Sequence, residues 1–232
     1  MKAYFISGLG ADKRVFKYIS LPDGYEVIYL DWIAPFNNES LTGYSLRMAD
    51  KIDTMTPFII IGLSMGGMIA SEIARHFKPV TVILISSIPC ALHLPPYFRT
   101  SGKLRLFKWV PVNFLKSLTI INRLFLVEYV EDRELLKDMV KSCDESFIRW
   151  GMMAISTWNT NEISFGHYHI HGSWDRLLPI RYTKPTHIVL RGGHFMVMNR
   201  SKEINQILAK LLEDVLKMRT PLTKNRQNPD FR

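Results

Sequence analysis

The chain has 232 residues, is 47% hydrophobic and 22% charged, and carries a formal net charge of +9. That length suits one domain with room for an insertion, large enough to bury over ~70% of its unfolded surface. Only two cysteines occur, Cys90 and Cys143, with no C-x-x-C; this argues against a disulfide framework or a structural zinc site, and fits a reducing, cytoplasmic setting. The basic excess is concentrated. No Asp or Glu lies between Glu72 and Glu128, while Arg99, Lys103, Arg105, Lys108, Lys116 and Arg123 do. No nucleic-acid-binding motif accompanies these residues, so an ordinary basic surface is expected and nucleic acid is not an expected partner. Attraction to an anionic substrate or membrane surface stays open as the alternative.

Taken in order, the apolar stretch Met1 to Gly10 is too short for a signal peptide and runs into Asp12-Lys13-Arg14, so residues 3–7 read as a short buried strand. Ser7-Gly8-Leu9-Gly10-Ala11-Asp12 is a loop whose two glycines allow a sharp turn with outward N–H groups. Asp12 then caps a helix over 13–19. Pro22-Asp23-Gly24 is a turn and 25–31 a second strand. Ser40 or Thr42 caps a helix running through Asp53, with Leu46, Ala49 and Ile52 on one face. Phe58 to Ile61 is an uninterrupted run of β-branched and aromatic residues, as in a strand buried on both faces. Gly62-Leu63-Ser64-Met65-Gly66-Gly67 follows, then an apolar helix that Pro79 stops, then a strand over 80–86. The charge-free run through this segment falls short of the ~20 residues of a membrane span and carries three glycines, so no transmembrane segment is expected. Alternating strands and helices predict an α/β fold: a doubly wound, mostly parallel sheet of about six strands.

From 89 to 162 the rhythm changes. Pro89, Pro95, Pro96 and Pro111 break an opening loop, and helical segments follow near 112–119, 120–130, 132–142 and 145–158, dense in aromatics and leucines. This stretch reads as a helical cap inserted over one sheet edge; the alternative is that some of its helices complete the α/β layer. Residues 1–88 and 163–219 then form the core. Strands return at 167–171 and 186–190, followed by the loops Gly172-Ser173-Trp174-Asp175 and Arg191-Gly192-Gly193-His194. A final amphipathic helix covers 195–216, and the basic tail 220–232 is predicted to be disordered.

G-x-S-x-G alone arises by chance in roughly one in ten chains of this length. Its context of strand, turn and helix makes it a nucleophile-elbow candidate. A serine hydroxyl needs a base to remove its proton and an acid to orient that base. Asp175 and His194 each follow a later strand, in the order Ser64, Asp175, His194 that such an elbow requires, where a doubly wound sheet places its crevice. The loop after Ile85 offers Ser86 and Ser87 but no carboxylate. His167, His169, His171 and His187, carried by strands, read as structural. The oxyanion needs preorganised N–H donors: Met65, directly after the serine, and Leu9 from the first loop, with Gly10 the competing choice.

Gly-Leu-Ser-Met-Gly-Gly, His-Gly-x-x-Asp-x-x-x-Pro and Gly-Gly-His-Phe together resemble the α/β-hydrolase superfamily, most of all its small bacterial members. The resemblance spans nearly the whole chain outside the insertion and tail. It implies an α/β-hydrolase fold with the eight-stranded family sheet shortened at its N-terminal side, and a cap between the fourth and fifth strands of this chain. Members usually read His-Gly in the first loop; this chain has Ser7-Gly8, which bears on the shape of the oxyanion loop. Ser64 argues against the Asp-nucleophile activities of dehalogenase and epoxide-hydrolase relatives. The expectation is a serine hydrolase acting on a small carboxylic ester or related acyl compound, with no metal and no cofactor. Acyl transfer, thioester cleavage, lyase-type chemistry and a non-catalytic binding module are the alternatives.

Overall fold

The computed structural model describes residues 1–111 and 126–219. Six strands, β1 (Lys2–Ile6), β2 (Glu26–Leu30), β3 (Phe58–Leu63), β4 (Thr81–Ile85), β5 (His167–Gly172) and β6 (His187–Val189), form one sheet in the order β2-β1-β3-β4-β5-β6. All five pairings are parallel, with Ile6 against Gly62, Leu63 against Ile85 and Ile85 against Ile170. The uninterrupted apolar runs take the centre: every residue of β3 and β4 is buried. The edges are more polar and open, with Glu26, Val27 and Tyr29 exposed on β2 and Ile188 on β6. The expected doubly wound sheet of about six strands is therefore present.

On one face pack α1 (Leu41–Ala49), α2 (Met65–His76) and buried residues of α5 (Glu145–Ser156); on the other pack Val15, Phe16, buried residues of α4 (Val130–Ser142), and the C-terminal helices α6 (Met196–Asn199) and α7 (Ser201–Arg219). The described part of the insertion is thus divided between the two faces. Trp158 ends it by donating Nε1–H to Glu72 of α2, 2.7 Å away in a buried setting.

Several boundaries differ from the sequence expectations. Ser40 caps α1 through Gly43 N–H at 3.0 Å, but α1 ends at Ala49. Asp53 belongs instead to a turn, accepting from Met55 and Thr56 and pairing with Lys2 at 2.7 Å. Asp12 does cap, accepting from Arg14 N–H, yet it opens only the 3₁₀ turn Lys13–Phe16. The C-terminal helix breaks at Arg200 (φ −128°), where Asn199 donates to the Leu126 carbonyl and Arg200 pairs with Glu128, both side chains reaching toward the 126–128 segment. The region expected as loop contains α3 (Pro96–Lys103), because Pro96 occupies its first turn, where no intrahelical N–H is needed. The segments expected at 132–142 and 145–158 match α4 and α5. Those at 112–119 and most of 120–130, and the tail, lie outside the described residues.

Candidate active site

Ser64 joins β3 to α2 with φ 51° and ψ −120°, a conformation that L-residues avoid unless the surroundings enforce it. Here they do. A Cβ on Gly62 would collide with Gly67 N at 2.5 Å, and one on Gly66 would strike the carbonyls of Ile6 and Ser7. The turn is further fixed by hydrogen bonds. Ser64 N–H donates to Ile85 O at 3.0 Å, and Ser64 O accepts from Gly67 N–H, Met68 N–H and, at 2.6 Å, the Ser87 hydroxyl.

The three sequence-predicted residues meet. His194 Nε2 lies 2.9 Å from Ser64 Oγ, and His194 Nδ1 lies 2.8 Å from Asp175 Oδ2. A carboxylate only accepts, so Nδ1 carries the hydrogen and Nε2 presents its lone pair to the serine hydroxyl. Asp175 is 4% exposed and His194 3% exposed, while Ser64 is half-buried. The other Asp175 oxygen, Oδ1, accepts N–H from Leu177 at 2.9 Å and Leu178 at 2.8 Å, so the carboxylate is held on both sides.

The loop after β1 abuts the serine: a Cβ on Gly8 would sit 3.3 Å from Ser64 Cβ. Ser7 is buried and donates its hydroxyl to Ala11 O at 2.9 Å, and Trp32 Nε1–H donates to the same carbonyl. The loop is therefore stapled at the Ala11 carbonyl. Met65 is the first residue of α2, whose N–H has no partner within the helix. Among the described residues no hydrogen bond is made by the N–H of Met65, Leu9 or Gly10. The Leu9 side chain fills a notch in α5, where a Cβ on Gly151 would lie 2.5 Å from Leu9 Cδ1, and Val140 of α4 approaches Gly10.

Sequence reasoning missed two contributors. Ser87 has no carboxylate to offer a triad, yet it holds the Ser64 carbonyl. His171 reads as a structural strand residue, yet its Nε2 lies 3.5 Å from Asp175 Oδ2; the i, i+4 spacing across His-Gly-Ser-Trp-Asp was the available signal. Burial lowers the His171 pKa, against the opposing pull of Asp175, and burial lowers that of His169 to about 3.

A cleft of about 970 Å³ opens between residues 35–40 and α5, lined among others by Phe36, Arg105, Arg149, Trp150 and Met153. None of Ser64, Met65, Asp175 or His194 lines it, so the convergent polar groups, not this cleft, define the candidate site. Among the described residues no cluster of three or more His, Cys, Asp or Glu could hold a metal ion, and no helix is long and apolar enough to cross a membrane.

A parallel doubly wound sheet with a strained serine at a strand-to-helix turn defines a class of α/β proteins that act at the carboxyl ends of their strands. The family model described as "Alpha/beta hydrolase family" matches residues 3–207, and the chain belongs to that family. Among curated sequences no relative matches significantly. Solved structures do. A thermophilic esterase from Thermogutta terrifontis superposes with a TM-score of 0.72 at 18% identity, covering 93% of this chain and 90% of that one. The esterase EaEST from Exiguobacterium antarcticum gives 0.71 at 15% identity over 93% and 92%. MenH from S. aureus gives 0.70 at 16% identity over 93% and 94%. At these identities the likeness is one of fold.

Proposed function

We propose that this chain is a serine hydrolase that cleaves a small carboxylic ester or related acyl compound through an acyl-enzyme on Ser64. The observation that carries the reading is the continuous pair of contacts from Ser64 Oγ to His194 at 2.9 Å and from His194 to Asp175 at 2.8 Å. The esterase neighbours support the choice of substrate class. In this reaction Ser64 Oγ attacks the acyl carbon while its proton passes to His194 Nε2. Asp175 holds the Nδ1–H tautomer and stabilises the imidazolium that forms. The oxyanion is received by the N–H groups of Met65 and Leu9, each worth about 3 kcal/mol of transition-state stabilisation. His194 then returns the proton to the leaving alcohol. Water enters by the reverse sequence, giving up a proton to His194 and releasing the carboxylic acid and the Ser64 hydroxyl.

The insertion over 89–162 acts as a cap that shapes the acyl or alcohol pocket; the contacts of Gly151 with Leu9 and Val140 with Gly10 support this, since they seat it on the oxyanion loop. A panel of p-nitrophenyl esters of rising chain length tests the assignment. Turnover of the short esters that disappears in His194→Ala is the expected result. Absence of turnover across the panel, or turnover unchanged in His194→Ala, contradicts it.

A further inference from the structure

Behind Asp175 lies a buried pair of imidazoles that the triad chemistry does not use. His169 and His171 are both 0% exposed. They project from alternate positions of β5, on one face of the strand. His169 Nε2 lies 2.9 Å from His171 Nδ1, and the rings meet edge to face. His171 Nε2 lies 2.7 Å from the Leu178 carbonyl and 3.5 Å from Asp175 Oδ2.

The protons follow from the acceptors. The Leu178 carbonyl and the Asp175 carboxylate can only accept, so His171 Nε2 carries a hydrogen. Burial disfavours the charged imidazole, which leaves His171 Nδ1 as a lone pair. His169 must then donate Nε2–H to it. The remaining nitrogen, His169 Nδ1, has no partner at good hydrogen-bonding geometry among the described residues, although a weak contact with the Ser87 backbone raises the ring's pKa against the larger lowering by burial. That leftover lone pair is what this donor chain requires, since reversing it would turn the His171 Nε2 lone pair on the Leu178 carbonyl or demand a buried cation.

The chain ends on the Asp175 loop. Leu178 offers its carbonyl to His171 and its N–H to Asp175 Oδ1. One imidazole hydrogen therefore anchors the residue that grips one carboxylate oxygen, and the nitrogen that bears it lies 3.5 Å from the other oxygen, the one that His194 uses.

We propose that His171 is a positioning residue for Asp175: its Nε2–H, with the tautomer set by His169, fixes the 175–178 loop and hence the carboxylate that orients His194. The inference rests on the hydrolase reading for its kinetic consequence, but its structural content is testable without turnover.

The test uses the full chain carrying Ser64→Ala, with ¹⁵N-labelled imidazoles. The spectrum is expected to show His171 protonated at Nε2 and bare at Nδ1, together with a downfield His194 Nδ1–H resonance. His171→Asn keeps a polar group near His169 but withdraws the donor; it is expected to shift that downfield resonance upfield or abolish it. With Ser64 intact, His171→Asn lowers kcat on a p-nitrophenyl ester by about 10- to 100-fold at unchanged KM, the scale seen for outer groups that orient metal ligands and taken here by analogy. His171→Gln, which places an N–H at the position of Nε2, restores most of both. A folded His171→Asn with an unmoved His194 resonance and unchanged kcat overturns the proposal. If that variant does not fold, the wild-type tautomer decides: a hydrogen on His171 Nδ1 overturns it, and a bare Nδ1 supports it. Should no ester be turned over while the resonance responds as stated, the hydrolase reading fails and the positioning role stands.

Discussion

The loops at the strand ends and the insertion both reach the surroundings of Ser64, but by different kinds of contact. At the strand ends the contacts are largely main-chain. Glycine backbones meet at van der Waals distance, the Ser64 carbonyl accepts from two amides and a buried hydroxyl, and Asp175 is gripped by amides of its own loop. The insertion meets the rest of the chain largely through side chains: Leu9 in the Gly151 notch and Val140 against Gly10 at the loop after β1, and elsewhere Trp150 donating to Glu39 O and Trp158 donating to Glu72. Main-chain constraints leave little room for sequence variation, whereas side-chain contacts can be exchanged. In the proposed function this division separates chemistry, fixed by the sheet, from selectivity, tuned by the cap.

Changes on the strand-end side break the comparison most forcefully. Ser64→Ala is expected to lower ester turnover by roughly 10⁵–10⁶-fold with the fold retained, read by steady-state kinetics beside circular dichroism. Asp175→Asn leaves the shape in place but offers His194 the wrong partner; about a 10³–10⁴-fold loss in kcat is expected. A loss below tenfold would show that the carboxylate at 2.8 Å does not orient the base.

Changes on the insertion side should be milder and of a different kind. Gly151→Ala puts a methyl 2.5 Å from Leu9 Cδ1. The clash is with the far end of a flexible side chain, so Leu9 can turn aside, at a cost of about 1 kcal/mol or less in stability. With its backbone left in place, kcat on a short ester should stay within about threefold of wild type, read by steady-state kinetics; a loss above tenfold would show that the notch and the chemistry are coupled. Trp158→Phe deprives the buried Glu72 of its 2.7 Å donor and costs about 1–3 kcal/mol. The melting temperature should fall by about 2–4 °C for each kcal/mol, with kcat within about twofold of wild type. A large kcat loss there would mean that the Trp158–Glu72 contact and the chemistry are not separable.

The most graded effect is that of pH on stability. His169 has a pKa lowered from 6.5 to about 3 by burial, and His171 is shifted in the same direction. Below pH 6.5 the unfolded chain takes up a proton that the fold refuses. Stability is therefore complete above that pH and is lost progressively as pH falls toward 3. A melting temperature that declines between about pH 7 and 5, with a shallower slope in His169→Gln, is the expected pattern.

The same division explains what the sequence disclosed. β3, β4 and the elbow were legible because buried strands and glycine turns leave little choice of residue. Ser64, Asp175 and His194 could be ordered because each follows a strand end. The insertion was harder to read. Pro95 and Pro96 signalled a break, but Pro96 starts α3, because a proline is tolerated in the first turn of a helix. The break at Arg200 is invisible in the amphipathic pattern, which continues through it; the contacts made there, to Leu126 and Glu128, are with residues far off in the sequence. The role of His171 is hidden because strand periodicity shows which face a residue takes, not what a later loop folds back onto it.

The central claim is that Ser64 is a nucleophile activated by His194. Treating the intact protein with a fluorophosphonate and mapping the adduct by peptide mass spectrometry tests it most directly. A single adduct on Ser64, absent from Ser64→Ala and strongly slowed in His194→Ala, is the predicted result. An unlabelled wild-type protein, or an adduct on another residue that persists in Ser64→Ala, would contradict it.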